Sequence, residues 1–394
     1  MSREVHEAEY NTEEAGRHAT NLELFLDLVF VFAVGQIVSV LDGELNLATF
    51  ARGLLLAWLT WWLWTQFAWL GTSIDLSERS RSQLLVLIAI PLTLLMAIAI
   101  PDAYGSTGLQ FAGAYLVVNL LCLAIQGRGL WSDPKARAAW LQYGPIAAIA
   151  PLLLVIGAYF EGNARTGLWV VAAVINVFSA LAAGRQNSEG SRQWRVDPTH
   201  FAERHALFVI IVLGEVVVAI GVAASGSELG FSTLIGAGVI AAAAVACAFW
   251  WTYFAFIPDA VETALRQAAL PKRGRVARDL FTFWHFPLIF GILLFALVAE
   301  HVVVDPAHHL DWVNLGVLVL GVALFASALD VIKWLAVRRI GPERLIAIGV
   351  VGVICALVGP HVPGALTLAM VSVVLVAMQV ITVRRFENAR STFD

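Results

Sequence analysis

Glu23 and Asp27 stand four residues apart in one long apolar stretch; Glu203, Arg204 and His205 open a second, with Glu215 twelve residues after Glu203. Carboxylates and imidazoles exchange protons and attract cations, and an ionisable group at a helix centre in hydrocarbon costs on the order of 2.5–3.5 kcal/mol. Such groups must therefore face partners or water, which makes them candidates for a transport or coupling site. The chemistry is transfer of a small charged species, and the ligand is left open.

Each candidate has two readings. Glu23 sits where an acidic side chain caps a helix N-terminus and gains about 0.3–1 kcal/mol from the macrodipole. Asp27 lies about 7 Å along the helix from its cytoplasmic start at 1.5 Å per residue, so it is either half of a structural ion pair or a permeation or coupling group. Glu203 reads as a cap and Arg204 as a snorkelling side chain, or else Arg204 or His205 neutralises Asp27 across a helix contact. Glu215 lies about 18 Å along its helix from residue 203 and is too deep to snorkel or cap. It is either a proton-exchanging coupling group or a neutral acid hydrogen-bonded to a neighbour. His285, two residues before Pro287, is a titratable ring beside an expected kink, either a gate or a packed bend. Asp330 and Lys333 have the spacing of a local ion pair. Glu300, His301, Asp305, His308 and His309 gather near one connection but match no recognised ligand pattern, so no metal or cofactor is assigned.

These residues require membrane-spanning helices to position them. The 394 residues are 59% hydrophobic and 14% charged, beyond the apolar usage of soluble domains. Apolar runs of about 20 residues, enough to cross a ~30 Å core, fall near 22–41, 47–70, 83–101, 108–126, 140–160 and 166–184. Six more fall near 203–224, 232–257, 279–300, 311–334, 343–360 and 363–383. The runs are continuous rather than alternating, which indicates helices and not barrel strands. The expected fold is an all-α polytopic membrane protein of about twelve spans. Assigned to the nearer face, 23 of the 25 Lys and Arg fall on the side of both termini and 2 on the other, which by the positive-inside rule makes both termini cytoplasmic.

The halves echo one another. LVFVFAVGQIV at 28–38 aligns with LFVIIVLGEVV at 207–217, WTQFAW at 64–69 with WTYFAF at 251–256, and Pro91-Leu92 with Pro287-Leu288. Six spans return the chain to its starting side, so these offsets indicate two parallel six-helix repeats, 21–190 and 200–385. They would be flanked by an acidic cytoplasmic tail at 1–20 and a short one at 386–394. Transporter sites lie at repeat interfaces, which brings the first and seventh spans together and places Gly35-Gln36 opposite Gly214-Glu215. Gln36 joins the candidate set on that ground.

A net charge of -4 gives no indication of a nucleic-acid partner. The three cysteines lie in apolar stretches without metal or paired spacing and read as packing residues. Trp58, Trp61, Trp62, Trp64 and Trp69 make the second span aromatic, serving either as a pathway wall or as packing against small residues. No nucleophile elbow, phosphate loop, dinucleotide fingerprint or metalloprotease helix is present, so enzymatic activity is not indicated.

NLELFLDLVFVFAVGQI at 21–37 together with ERHALFVIIVLGEVVVAIG at 203–221 resembles the bacterial low temperature requirement A family, LtrA, and the resemblance runs over nearly the whole chain. It implies a multi-pass protein of the bacterial inner membrane, linked by name to growth in the cold, with no substrate or mechanism attached. Glu23, Asp27, Glu203, Arg204 and Glu215 carry over as motif positions; His205 stands where the pattern leads one to expect an aromatic residue. The leading expectation is a proton-coupled secondary transporter with its pathway between the first and seventh spans, its partners the lipid bilayer and a small solute or ion. One alternative is an ion channel: a duplicated six-helix unit with an acid-bearing first helix resembles the plan of the lysosomal potassium channel family. There Val31, Val34 and Ile210 would form the constriction. The other is a non-transporting sensor or scaffold with a dry axis.

Overall fold

The computed structural model describes residues 17–43, 45–73, 81–186, 196–226 and 232–390. Positions 1–16, most of the expected acidic tail, lie outside this set, as do 391–394. Every regular element among the described residues is a helix. The first half comprises α1 Asn21–Leu41, α2 Leu47–Ser73, α3 Arg81–Ile98, α4 Gly108–Leu130, α5 Pro134–Ala158 and α6 Gly162–Gln186. The second comprises α7 Pro198–Gly226, α8 Thr233–Phe254, α9 Ile257–Gln267, α10 Leu270–Ala277, α11 His285–Val304, α12 Trp312–Val337, α13 Glu343–Leu357 and α14 Gly364–Arg390.

Eleven helical segments among the described residues are long and apolar enough to cross a membrane, where twelve were expected. The exception is α2, whose five tryptophans, four threonines and Gln66 dilute its aliphatic content. It is nonetheless interior, with Leu56, Leu59, Trp61, Leu63, Trp64 and Phe67 all buried. Capping residues set several starts. Thr20 and Glu23 form a reciprocal capping box at α1, Asn46 Oδ1 accepts from the Ala48 and Thr49 amides at α2, and Asp311 Oδ1 accepts from Asn314 N at α12. Asp197 Oδ1 accepts from His200 N, so α7 begins at Pro198, five residues earlier than the sequence suggested. At the far end α14 runs to Arg390, taking in the start of the expected C-terminal tail.

The core gathers on α11. The span that contains it is 78% buried, against 28–61% for the others, and α11 packs on α1, α2, α7, α8, α12 and α14. Against α12 it approaches backbone to backbone: a Cβ on Gly291 would lie 2.6 Å from Gly321 O, and one on Gly321 would lie 2.9 Å from Gly291 O. Small residues permit this approach, which van der Waals contact then stabilises. Pairings recur between the halves: α1 packs on α2 and α3 as α7 packs on α8 and α11, α2 on α6 as α8 on α14, and α1 meets α7 directly.

Other expectations change locally. Asp330 pairs with Arg344 of α13 at 2.8 Å, both nearly buried, rather than with its own-helix neighbour Lys333. The two basic residues on the minority face have structural duties. Arg165 donates to the carbonyls of Ala103, Gly105, Ala158 and Phe160, and Arg52 lies over the Tyr104 ring.

Candidate functional site

The first half of the site is a buried ion cluster where α1, α2 and α7 meet. Glu23 and Asp27 share one face of α1 because they are four apart, and His200 and Arg204 share one face of α7 for the same reason. Arg204 Nη1 donates to Glu23 Oε1 and Nη2 to Asp27 Oδ1, each at 2.9 Å, with all three side chains at most 2% exposed. Its Nη1 also reaches Phe67 O at 2.8 Å, and Trp64 Nε1 donates to Asp27 Oδ1 at 2.7 Å. His200 Nε2, 3.1 Å from Glu23 Oε1 and 3.2 Å from Oε2, faces carboxylate oxygens and must carry the hydrogen. Gly71 admits the end of α2, since a Cβ there would sit 2.1 Å from Glu23 Oε1. Arg204 therefore does not snorkel. Glu23 caps α1 and also pairs across helices.

Glu203 does not cap α7, being in its second turn; it accepts from the Ala19 amide at 2.9 Å and lies 3.1 Å from His18 Nδ1, fastening the chain before α1. His205 points elsewhere, into an aromatic box of Trp61, Trp64, Phe201, Phe281 and His285. Its Nδ1 donates to Phe201 O at 2.8 Å and its Nε2 is unpartnered. His285 is also fully buried: Tyr253 donates its hydroxyl to Nε2 at 3.0 Å, and Nδ1 donates to Leu280 O at 2.9 Å. The ring follows a π-helical turn, Arg278–Phe283, so the irregular backbone is a π-bulge ahead of Pro287. Trp61 and Trp69 donate to Thr282 O and Oγ1, tying α2 to that turn.

Glu215 belongs to a separate place. It lines a cleft of about 40 Å³ between three helices. Stripes at helical spacing supply the walls: Val31, Val34, Gly35 and Val38 from α1, Val212, Val216 and Ala219 beside Glu215 on α7, and Leu293, Ala296 and Glu300 from α11. Glu215 leans over Gly35, where an added Cβ would lie 3.0 Å from its Oε1. Neither Glu215 nor Glu300 accepts a hydrogen bond among the described residues. Gln36 is half-buried and does not line the cleft, and Gly214 is exposed. The equivalence of Gly35-Gln36 with Gly214-Glu215 thus does not place two like groups face to face; Glu215 crosses to the glycine. Ile210 is 41% exposed and faces away, leaving Val212 beside Val31 and Val34.

Between the two places, about 16 Å apart along α7 from Arg204 to Glu215, the seam is filled by Phe30, Val31, Val34, Phe208 and Val212, all buried. Beyond the cleft, His301 Nε2 lies 2.6 Å from Asp42 Oδ1 and joins the ends of α1 and α11. Among the described residues no group of three or more His, Cys, Asp or Glu could hold a metal ion.

The paired acids of α1 and the Glu-Arg pair of α7 that fasten this seam are the motif residues noted in the sequence, and the family's profile matches residues 18–380. The chain belongs to the bacterial low temperature requirement A (LtrA) family. It is also similar to uncharacterized protein RA0937 of Rhizobium meliloti (strain 1021), 30% identical over 302 residues, covering 72% of this chain and 69% of the relative. No solved structure matches. Two site residues escaped sequence reasoning. His200 lay outside the expected seventh span, although its spacing to Arg204 was a usable signal. Glu300 was grouped with loop histidines, and only the packing of α11 against α1 and α7 gives it another setting.

Proposed function

We propose that this LtrA protein is a proton-coupled secondary transporter of the bacterial inner membrane. Its pathway follows the seam of α1 and α7, and Glu215 is its coupling group. The observation that carries this reading is the cleft lined by carboxylates from both α7 and α11, with Glu215 leaning over Gly35. Acid side chains inside a bundle mark proton and ion paths. Glu300 is the second carboxylate of that path, and the Glu23–Arg204–Asp27 cluster seals its other end. The recurring helix pairings support a parallel duplication with α1 and α7 on its axis, and the 23-to-2 distribution of basic residues supports cytoplasmic termini.

A channel for protons or small cations is the second reading, favoured by the cleft's size. About 40 Å³ holds roughly one to three waters and no organic solute, and Val31, Val34 and Val212 narrow it. Reconstituted liposomes loaded with a pH-sensitive dye, under an imposed pH gradient, test both. Proton flux should fall at least tenfold in Glu215→Gln, and unchanged flux with unchanged pH dependence rejects the coupling role. Ohmic single-channel currents in planar bilayers would select the channel.

A further inference from the structure

The connection between α8 and α11 is a folded elbow. Along α9, Ile257, Val261 and Leu265 are buried while Asp259, Glu262 and Arg266 share the opposite side. The buried stripe packs on α7 and α12, and Thr199 at the start of α7 fastens the polar side: its hydroxyl donates to Glu262 Oε1 at 2.8 Å, and Arg266 bonds to both. The elbow is thus docked against α7 and α12.

Its second limb carries the unmatched charge. Residues 257–278 hold five basic residues, Arg266, Lys272, Arg273, Arg275 and Arg278, against two acidic ones, Asp259 and Glu262. Arg266 is paired with Glu262, and Arg278 is paired with the adjacent Asp279. Lys272, Arg273 and Arg275 have no ion pair among the described residues. Asp197, whose field reaches Arg273, is already bonded to Arg17 and His200. Lys272 and Arg275 are exposed, and Leu270, 75% exposed, projects beside them. Three unneutralised cations in four positions, next to an exposed leucine at the mouth of a span, match an interfacial surface built for negative headgroups and the acyl boundary below them.

We propose that α10 binds the headgroups of anionic phospholipids in the leaflet it faces, with Lys272, Arg273 and Arg275 as phosphate ligands and Leu270 inserted into the acyl boundary. The proposal is independent of any transport role. Each cation near an anionic surface contributes about 1 kcal/mol, or roughly fivefold in affinity. The double change of the exposed pair, Lys272→Gln with Arg275→Gln, should therefore weaken binding on the order of 25-fold.

The test uses the full chain purified in neutral detergent and titrated with phosphatidylglycerol or phosphatidylcholine, with retained lipid read by native mass spectrometry and thermal stability in parallel. Wild type should retain phosphatidylglycerol preferentially and melt higher with it, the preference shrinking as salt rises. The double variant should lose it while keeping the wild-type melting temperature in phosphatidylcholine; Leu270→Ser, which leaves the charges intact, should weaken retention without abolishing the preference. Equal retention of both lipids by wild type, or an unchanged preference in the double variant, overturns the proposal. So does inorganic phosphate alone reproducing the stabilisation, which would make α10 a soluble-anion site.

Discussion

Arg204 shows how a charge survives inside this bundle: it meets two carboxylates and a carbonyl, and one of those carboxylates also accepts from Trp64. Removing one member of a buried pair leaves its partners uncompensated, a loss of about 3–5 kcal/mol. Arg204→Met should therefore lower the melting temperature in detergent sharply. Glu203→Ala, one position away but 32% exposed and holding only the chain before α1, should cost less than about 1 kcal/mol. Equal losses would show that the cluster does not stabilise the fold. The sequence made Glu23, Asp27 and Arg204 visible because charge in an apolar run needs a partner. It could not rank a local partner above a distant one: Asp330 had Lys333 at helical spacing yet takes Arg344 from α13. Trp64 reads from sequence only as a pathway wall or as packing, because its indole donor has no signature until the facing carboxylate is placed.

At the level of elements, two glycine positions separate packing from chemistry. A Cβ on Gly291 would meet backbone atoms of Gly321 and Phe325 at 2.6 and 2.8 Å, which cannot step aside, whereas the atoms nearest a Cβ on Gly35 all belong to the Glu215 side chain, at 3.0–3.5 Å. Overpacking against fixed atoms costs typically about 1–3 kcal/mol. Gly291→Ala should therefore lower thermal stability, while Gly35→Ala should melt near wild type and impair proton flux by displacing the carboxylate. The reverse pattern would contradict this division. Continuous apolar runs made the helices legible, tertiary contacts less so. The segment from 258 to 278 falls between two expected spans because its apolar positions are few, and its amphipathic spacing matters only once α7 and α12 offer a surface. The expected kink was at Pro287; the π-turn at Arg278–Phe283 ahead of it was not foreseen, since π-bulges leave no compositional mark.

For the molecule as a whole, the charge distribution makes a claim about sidedness. The numerous Lys and Arg of one face and the structural roles of Arg52 and Arg165 on the other both favour cytoplasmic termini. A fluorescent protein fused after Asp394 should accordingly fluoresce in cells, and alkaline phosphatase at the same place should stay inactive. Active phosphatase would invert the topology. The family was legible from two short motifs because they place charges that the seam between α1 and α7 uses. The cleft was not, because it exists only where three helices converge.

Helix α1 is held very unequally along its length. Near its start, Glu23 and Asp27 are locked by several short bonds away from solvent; at its finish, the Asp42–His301 contact stands 54% and 37% exposed, where a pair contributes about 0–1 kcal/mol. The helix is therefore a lever pinned at one end and lightly latched at the other. Of the helix's two polar tethers, the one nearer the crevice that holds Glu215 and Glu300 is thus the weaker.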